Sequence, residues 1–368
     1  VGVFFGTGTA SFKPFVNFPL FAGGATTCDL NNDGILDLVA TVTAGGSPVV
    51  TYLGRGDGTF YQRRQFLSLN FPYDITCADL NKDGNNDLII GVAGTTGFTT
   101  VFGNGDGTMQ ASSFFNNTPG VPTQQAVGDL NGDGYLDVVS SDNLANLFST
   151  FLNNGSGGLY RRVDYTAQNC KHVELADLNT DGRLDMLCTS ANNIIAFLGA
   201  GNGNFTLNSN TPTVLGPTGF AVADLNADGK LDLVVGGVTN NLLGFHAGSG
   251  DGNFAAPVTY GGVVSPSAVR VADINNDGLP DVIASNNSSS AQMLSLFVNN
   301  PASPGTLLST PNLATAAAPF RLAMGKYSGD SLPLLAYTIP SLNGMEVRSS
   351  NGDTTFTAAT SVAGLSNP

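Results

Sequence analysis

The chain contains no tryptophan and only two histidines, His172 and His246, which lie in different stretches of sequence. A histidine-built metal centre or acid–base pair therefore has little to draw on. Charged residues make up only 11% of the 368 positions, and 14 Lys and Arg face 28 Asp and Glu. The resulting net charge of −14 argues against nucleic acid or an anionic membrane as the main partner. No apolar run is long enough to insert in a bilayer, and no segment of useful length carries helical periodicity. Four cysteines, Cys28, Cys77, Cys170 and Cys188, include no CxxC pair, which disfavours zinc. Cys170 and Cys188 flank one acidic loop on what should be neighbouring strands; a disulfide and two buried thiols are both open there. GxSxG, HExxH and phosphate-binding glycine loops are missing too.

What the chain has is glycine, 47 residues of it, with abundant Asn, Ser and Thr and 42% hydrophobic residues. That mixture suits short strands joined by turns around a core. One nine-residue pattern, Asp-x-Asn-x-Asp-Gly-x-x-Asp, starts at Asp29, Asp79, Asp129, Asp177, Asp224 and Asp273, at intervals of 47 to 50 residues. A degenerate seventh copy, GKYSGDSLP, begins at Gly325, 52 residues further on. A glycine turn alternates with it: GRGDGTF at Gly54, GNGDGTM at Gly103, GAGNGNF at Gly199 and GSGDGNF at Gly248, with weaker copies at Gly6, Asn153, Asn299 and Ser349. Apolar runs such as Leu88–Val92 and Ile194–Leu198 separate these turns. About four strands per repeat, over seven repeats, predict an all-β, seven-bladed β-propeller with four-stranded antiparallel blades. A solenoid is the alternative.

The whole of 1–368 is expected to form this one propeller, with the repeats over 19–361. The surplus N-terminal half-repeat, 1–18, should pair near the C-terminal blade, because an unclosed ring leaves an open edge. An eighth blade, or a cap on a neighbouring molecule and hence self-assembly, is also open. The chain begins at Val1, inside a repeat, so an upstream segment such as a secretion signal is expected.

The acidic loop has a direct chemical reading. Calcium takes six to eight oxygen ligands, several of them carboxylates. Side chains at positions 1, 3 and 5 of a tight loop can converge, Gly at position 6 allows the turn, position 7 offers its backbone carbonyl, and the Asp at position 9 closes the cage. The candidate ligands are Asp29, Asn31, Asp33, Ile35 and Asp37 in the first loop, and Asp79, Asn81, Asp83, Asn85 and Asp87 in the second. The third and fourth offer Asp129, Asn131, Asp133, Tyr135 and Asp137, then Asp177, Asn179, Asp181, Arg183 and Asp185. The last two offer Asp224, Asn226, Asp228, Lys230 and Asp232, then Asp273, Asn275, Asp277, Leu279 and Asp281. An EF-hand closes at position 12 on a helix; here β-type residues follow position 9, so the loop joins two strands. Three carboxylates around an empty centre repel one another, and about six Ca²⁺ would offset most of the net charge.

The alternation of DxNxDGxxD loops with GxGDGxF turns resembles the FG-GAP/VCBS repeat family, which includes the propeller of integrin α subunits. The resemblance covers nearly the whole chain and implies calcium in hairpin loops on one face of the blades. The seventh repeat departs at Gly325, Tyr327 and Gly329, so no site is assigned there. Some fungal lectins of similar build bind sugars between blades at positions rich in Trp, which this chain lacks.

Other features are weaker. Arg55-Gly56-Asp57 spells an integrin-recognition tripeptide, but it lies within a glycine turn whose first variable position differs among the four clear copies. Tyr61, Arg63 and Arg64, and likewise Tyr160, Arg161 and Arg162, follow equivalent turns and could hold an acidic sugar or protein surface by charge and stacking. His172, near Glu174 and Cys170, reads as a polar strand residue. The expectation is a secreted or cell-surface, non-catalytic module for recognition, adhesion or scaffolding, whose partner is a glycan or a protein. A propeller-type polysaccharide lyase or hydrolase and a structural subunit of a surface assembly are the alternatives.

Overall fold

A computed structural model describes residues 2–3, 16–17, 22–42, 48–55, 60–61, 64–69, 72–92, 97–111, 113–115, 122–142, 145–168, 170, 172–326, 333–342 and 344–362. Among them the strands form seven antiparallel blade sheets, one per repeat, in which spatial order follows chain order, and one two-stranded sheet near the N-terminus. The first blade runs from strand Ala22–Cys28 to strand Arg64–Ser68, and the seventh from Leu322–Lys326 to Thr360–Val362. The first strands of successive blades touch from the first to the fourth and from the fifth to the seventh, and the second strand of the fourth meets the first strand of the fifth; the inner strands surround a common axis and the chain is a seven-bladed β-propeller. Gly2–Val3 pairs with Val16–Asn17; the rest of the 1–18 half-repeat lies outside the described residues, as do Tyr327 and Gly329 of the seventh repeat.

The sixth blade departs from four strands. Its third strand, Met293–Asn299, pairs with two short segments, Leu307–Ser309 at one end and Leu313–Ala314 at the other. Pro311 falls between them. Proline has no N–H for a ladder, and the outer edge strand breaks there.

Burial follows from the stacking of blades. Second and third strands are covered on both faces, so Asp87–Val92 and Gly97–Val101 are buried at every position; this is why they read as continuous apolar runs. Outer strands such as Leu159–Thr166 mix exposed and half-buried positions. Between blades three and four, Phe148 lies stacked on Tyr165 at 4.7 Å and edge-on to Phe197 at 4.8 Å. Separate apolar cores of this kind fill other blade interfaces.

Inner strands alternate between their two neighbours, as the period of a strand requires. The residue just before an acidic loop faces the following blade: a Cβ on Gly128 would stand 2.5 Å from Leu184 and 3.2 Å from Leu175. Leu175 sits two residues before its own loop and faces back. Between the first two blades Cys28 and Cys77 hold these two positions, and they form a disulfide. Cys170 and Cys188 are buried free thiols, and burial pushes the Cys170 thiol well up. A disulfide between inner strands fits an oxidising compartment.

Candidate functional site

Each acidic loop joins the first and second strands of its blade. Gly at position 6 takes φ between 79° and 88° in all six loops, the left-handed region open to glycine. Position 4 is left-handed as well: Asn32, Lys82, Thr180, Ala227 and Asn276 have φ of 54° to 60°, and Gly132 has 76°. Two left-handed residues curl the loop so that its own N–H groups point at its acids. The position-1 carboxylate accepts the position-6 N–H, for example Gly34 to Asp29 at 2.8 Å and Gly229 to Asp224 at 2.9 Å. The position-5 carboxylate accepts the position-7 N–H, as from Tyr135 to Asp133 at 2.8 Å and from Leu279 to Asp277 at 2.9 Å. Position 3 reaches position 5 in turn, Asn31 Nδ2 donating to Asp33 at 2.8 Å. In the fourth and fifth loops the position-7 cations Arg183 and Lys230 stand 3.9 and 3.8 Å from Asp181 and Asp228.

Position 9 is built differently. Asp37, Asp87, Asp137, Asp185, Asp232 and Asp281 are wholly buried. One oxygen accepts the N–H of loop position 2: Leu30 at 2.8 Å, and Leu80, Leu130, Leu178, Leu225 and Ile274 at 2.9 Å. The other accepts the N–H that opens the glycine turn of the same blade: Gly54, Asn153, Gly199, Gly248 and Asn299 at 2.8 Å, and Gly103 at 2.9 Å. This aspartate therefore clamps the acidic loop to the glycine turn. Burial is the main influence on it and pushes the carboxyls of Asp87, Asp137 and Asp281 up to about 6. The two backbone N–H groups pull back down, and the loop's other two aspartates push up again. Asp37, Asp185 and Asp232 are raised by burial in the same way.

The sequence pattern left position 2 unassigned, yet Leu or Ile stands there in all six loops and is at most 4% exposed. The letters DL and DI of each repeat carried that signal. Neighbouring loops also touch. Asn32 donates to Asn85 at 2.6 Å, Asn86 to the Asp29 carbonyl at 2.7 Å, and the Lys82 ammonium lies 4.7 Å over the Tyr135 ring. The first three loops thus sit side by side on one rim.

Among the described residues no three acidic, His or Cys side chains gather closely enough to form a metal cluster. The expected convergence of three carboxylates is instead an arrangement in which each acid accepts N–H donors. The donor chemistry nonetheless fits a hard cation: every loop offers carboxylate and carboxamide oxygens and no sulfur or imidazole. One oxygen stands out. Asp79 Oδ1 is buried without a hydrogen-bond partner, whereas the same oxygen of Asp29, Asp177, Asp224 and Asp273 accepts the position-5 N–H.

The Arg and Tyr candidates scatter. Arg161 donates to the Asn202 carbonyl at 3.2 Å and to Asn204 at 2.8 Å in the next blade's glycine turn, and Arg162 pairs with Asp164 at 2.6 Å. Tyr160 is exposed. Tyr61 lies under the Arg55 guanidinium at 4.3 Å, Arg64 is exposed on its strand, and Arg63, Gly56 and Asp57 lie outside the described residues.

Solved structures similar to this chain share its fold. An Agrocybe aegerita lectin, described for specific recognition of non-reducing terminal N-acetylglucosamine, is 18% identical with a TM-score of 0.59, over 85% of this chain and 88% of that one. BBS1N in complex with ARL6DN is 11% identical with a TM-score of 0.58, over 87% and 90%. A putative 6-phosphogluconolactonase from Bacteroides uniformis is 14% identical with a TM-score of 0.60, over 90% and 97%. No curated protein sequence matches the chain. The FG-GAP-like repeat model matches residues 29–90, 79–140, 129–188, 177–235 and 224–284, each match joining one acidic loop to the next, and the chain belongs to the FG-GAP-like repeat family.

Proposed function

We propose that this propeller is a calcium-stiffened recognition module of an extracellular or cell-surface protein, non-catalytic, with a glycan or a protein as its partner. The observation that carries the reading is the repetition of one hard-oxygen loop in six blades, each over a buried aspartate whose ionised form the loop's other acids oppose. Asp79 Oδ1 adds an oxygen with lone pairs to give. The acids at positions 1 and 5, the Asn at position 3 and the position-7 carbonyl would hold the ion, which supplies positive charge among the carboxylates and fixes the hairpin. The position-9 aspartate already serves the backbone and would add its remaining lone pairs.

Recognition is supported by the lectin and the BBS1N complex, which bind a glycan and a protein on a similar ring. Variable connecting loops on a rigid frame supply the physical means. The disulfide supports export. The reading is tested by a glycan and protein array probed in calcium and then in EGTA. Calcium-dependent binding without chemical change of the bound glycan is the expected result. Release of unsaturated sugars from polyuronates would favour the lyase alternative instead.

A further inference from the structure

The ring encloses a cavity of about 400 Å³, lined by the inner strands of blades three to seven. It is independent of the calcium loops, because its residues come from the portions of those strands that precede them. Four polar groups reach it from repeated positions. Gln124 and His172 each stand five residues before the first Asp of their loop, and Glu174 and Arg270 each stand three before. Arg321, from the seventh blade, completes the set. The ring symmetry of the propeller thus brings together side chains that lie up to 197 residues apart in sequence, from Gln124 to Arg321.

The two guanidiniums decide what the cavity can hold. Arg270 donates to the Val269 carbonyl at 2.7 Å, and Arg321 lies 5.1 Å from the Phe320 ring centre. Among the described residues neither has a carboxylate within ion-pair distance. Burial above all lowers the Arg270 pKa, Glu174 pulls it back up, and Arg321 adds a smaller repulsion. The Glu174 carboxyl is raised by burial and makes no hydrogen bond with another described residue. Paired Arg forks match a planar oxyanion. Glu174 lies in the cavity and Asp74, five residues before its own loop in the second blade, acts on Arg321 as well, so a ligand carrying one carboxylate is favoured over a dianion such as a phosphate monoester, which those two acids would oppose. The volume lies within the roughly 300–1,000 Å³ of small-molecule sites, more than a bare acetate would fill. Glu174 and Gln124 offer hydrogen-bonding partners for hydroxyls, and Phe220 offers an apolar surface for a ring.

We infer that the axial cavity binds a sugar acid of monosaccharide size, its carboxylate held by Arg270 and Arg321 and its hydroxyls facing Glu174 and Gln124. The inference does not depend on the rim loops or on what the outer loops recognise.

The test is titration calorimetry of the full chain in calcium buffer with D-glucuronate, D-glucose and inorganic phosphate, repeated on Arg270→Gln and Arg321→Gln. Thermal melts confirm that each variant is folded, and Lys82→Gln, an exposed cation outside the cavity, is the control. Glucuronate should bind, glucose should bind at least tenfold more weakly, and each cavity variant should lose at least tenfold while the control loses nothing. If glucuronate binds no better than glucose, if phosphate alone binds, or if folded cavity variants bind glucuronate as the native chain does, the assignment is wrong.

Discussion

Replacing Asp137 by Asn separates the clamp from the metal. In the native chain Asp137 accepts N–H donors from Leu130 at 2.9 Å and Asn153 at 2.8 Å, and all three residues are nearly or wholly buried. Asparagine keeps the shape and one acceptor oxygen, but its NH₂ must face the other N–H. A hydrogen bond to a charged group contributes about 1.5–3 kcal/mol, and a buried donor left unpaired costs about 1–3 kcal/mol. Burial of the ionised carboxyl works the other way, which is why its pKa stands at about 6. Loss of charge therefore regains part of the cost, and the net expectation is a destabilisation of about 2–4 kcal/mol at pH 7.5. Urea unfolding, followed by intrinsic tyrosine fluorescence, measures it. The informative run is in excess EGTA, where metal ligation contributes nothing. A clamp predicts that most of the loss persists there. Equal midpoints for Asp137→Asn and the native chain in EGTA would refute the reasoning and leave the residue as a metal ligand alone.

Further outcomes follow from the same geometry. In EGTA, stability should fall as pH rises from about 4 to about 6, since Asp87, Asp137 and Asp281 have folded pKa values of about 6 against 3.8; raised carboxyls favour the folded state most below the lower value and lose that contribution through the upper one. Saturating calcium should flatten this slope, and urea midpoints across pH with and without the ion report both. Thr180 is β-branched at φ 58° where two sister loops carry Asn; Thr180→Asn should raise stability by about 0.5–1 kcal/mol, read as a higher urea midpoint. Joint replacement of Cys28 and Cys77 by Ser should cost about 4 kcal/mol, the chain-entropy value for a closure of about 50 residues, and melting under reducing conditions should match the double variant.

Much of this was legible in the sequence because a propeller repeats one local unit. The loop register, the left-handed Gly at position 6 and the seven sheets all follow from patterns within about 50 residues. What escaped depends on contacts between repeats. Leu30 and its counterparts looked like free positions because a buried aliphatic inside an acidic loop has no local signature. The second task of Asp137 needs the glycine turn 16 residues away. Cys170 and Cys188, the pair nearest in sequence, are free, while Cys28 and Cys77 meet because alternate residues of adjacent inner strands face each other. Arg161 and Arg162, read as ligand groups, meet Asn202, Asn204 and Asp164. The break in the sixth blade's outer strand turns on Pro311. The cavity residues share fixed offsets from their loops, but only ring closure brings them together.

The measurement that bears most directly on the whole account is the number of calcium ions bound by the folded chain, counted by isothermal titration after exhaustive chelation and paired with melting curves. About six ions per chain are predicted, with a melting temperature that falls by roughly 20 °C in EGTA; this takes about 2.7 kcal/mol per site at a hundredfold excess over Kd and an unfolding entropy of about 2.1 cal/mol/K per residue. A chain that takes up no calcium and melts at one temperature in both buffers would mean that hydrogen bonds alone hold the loops.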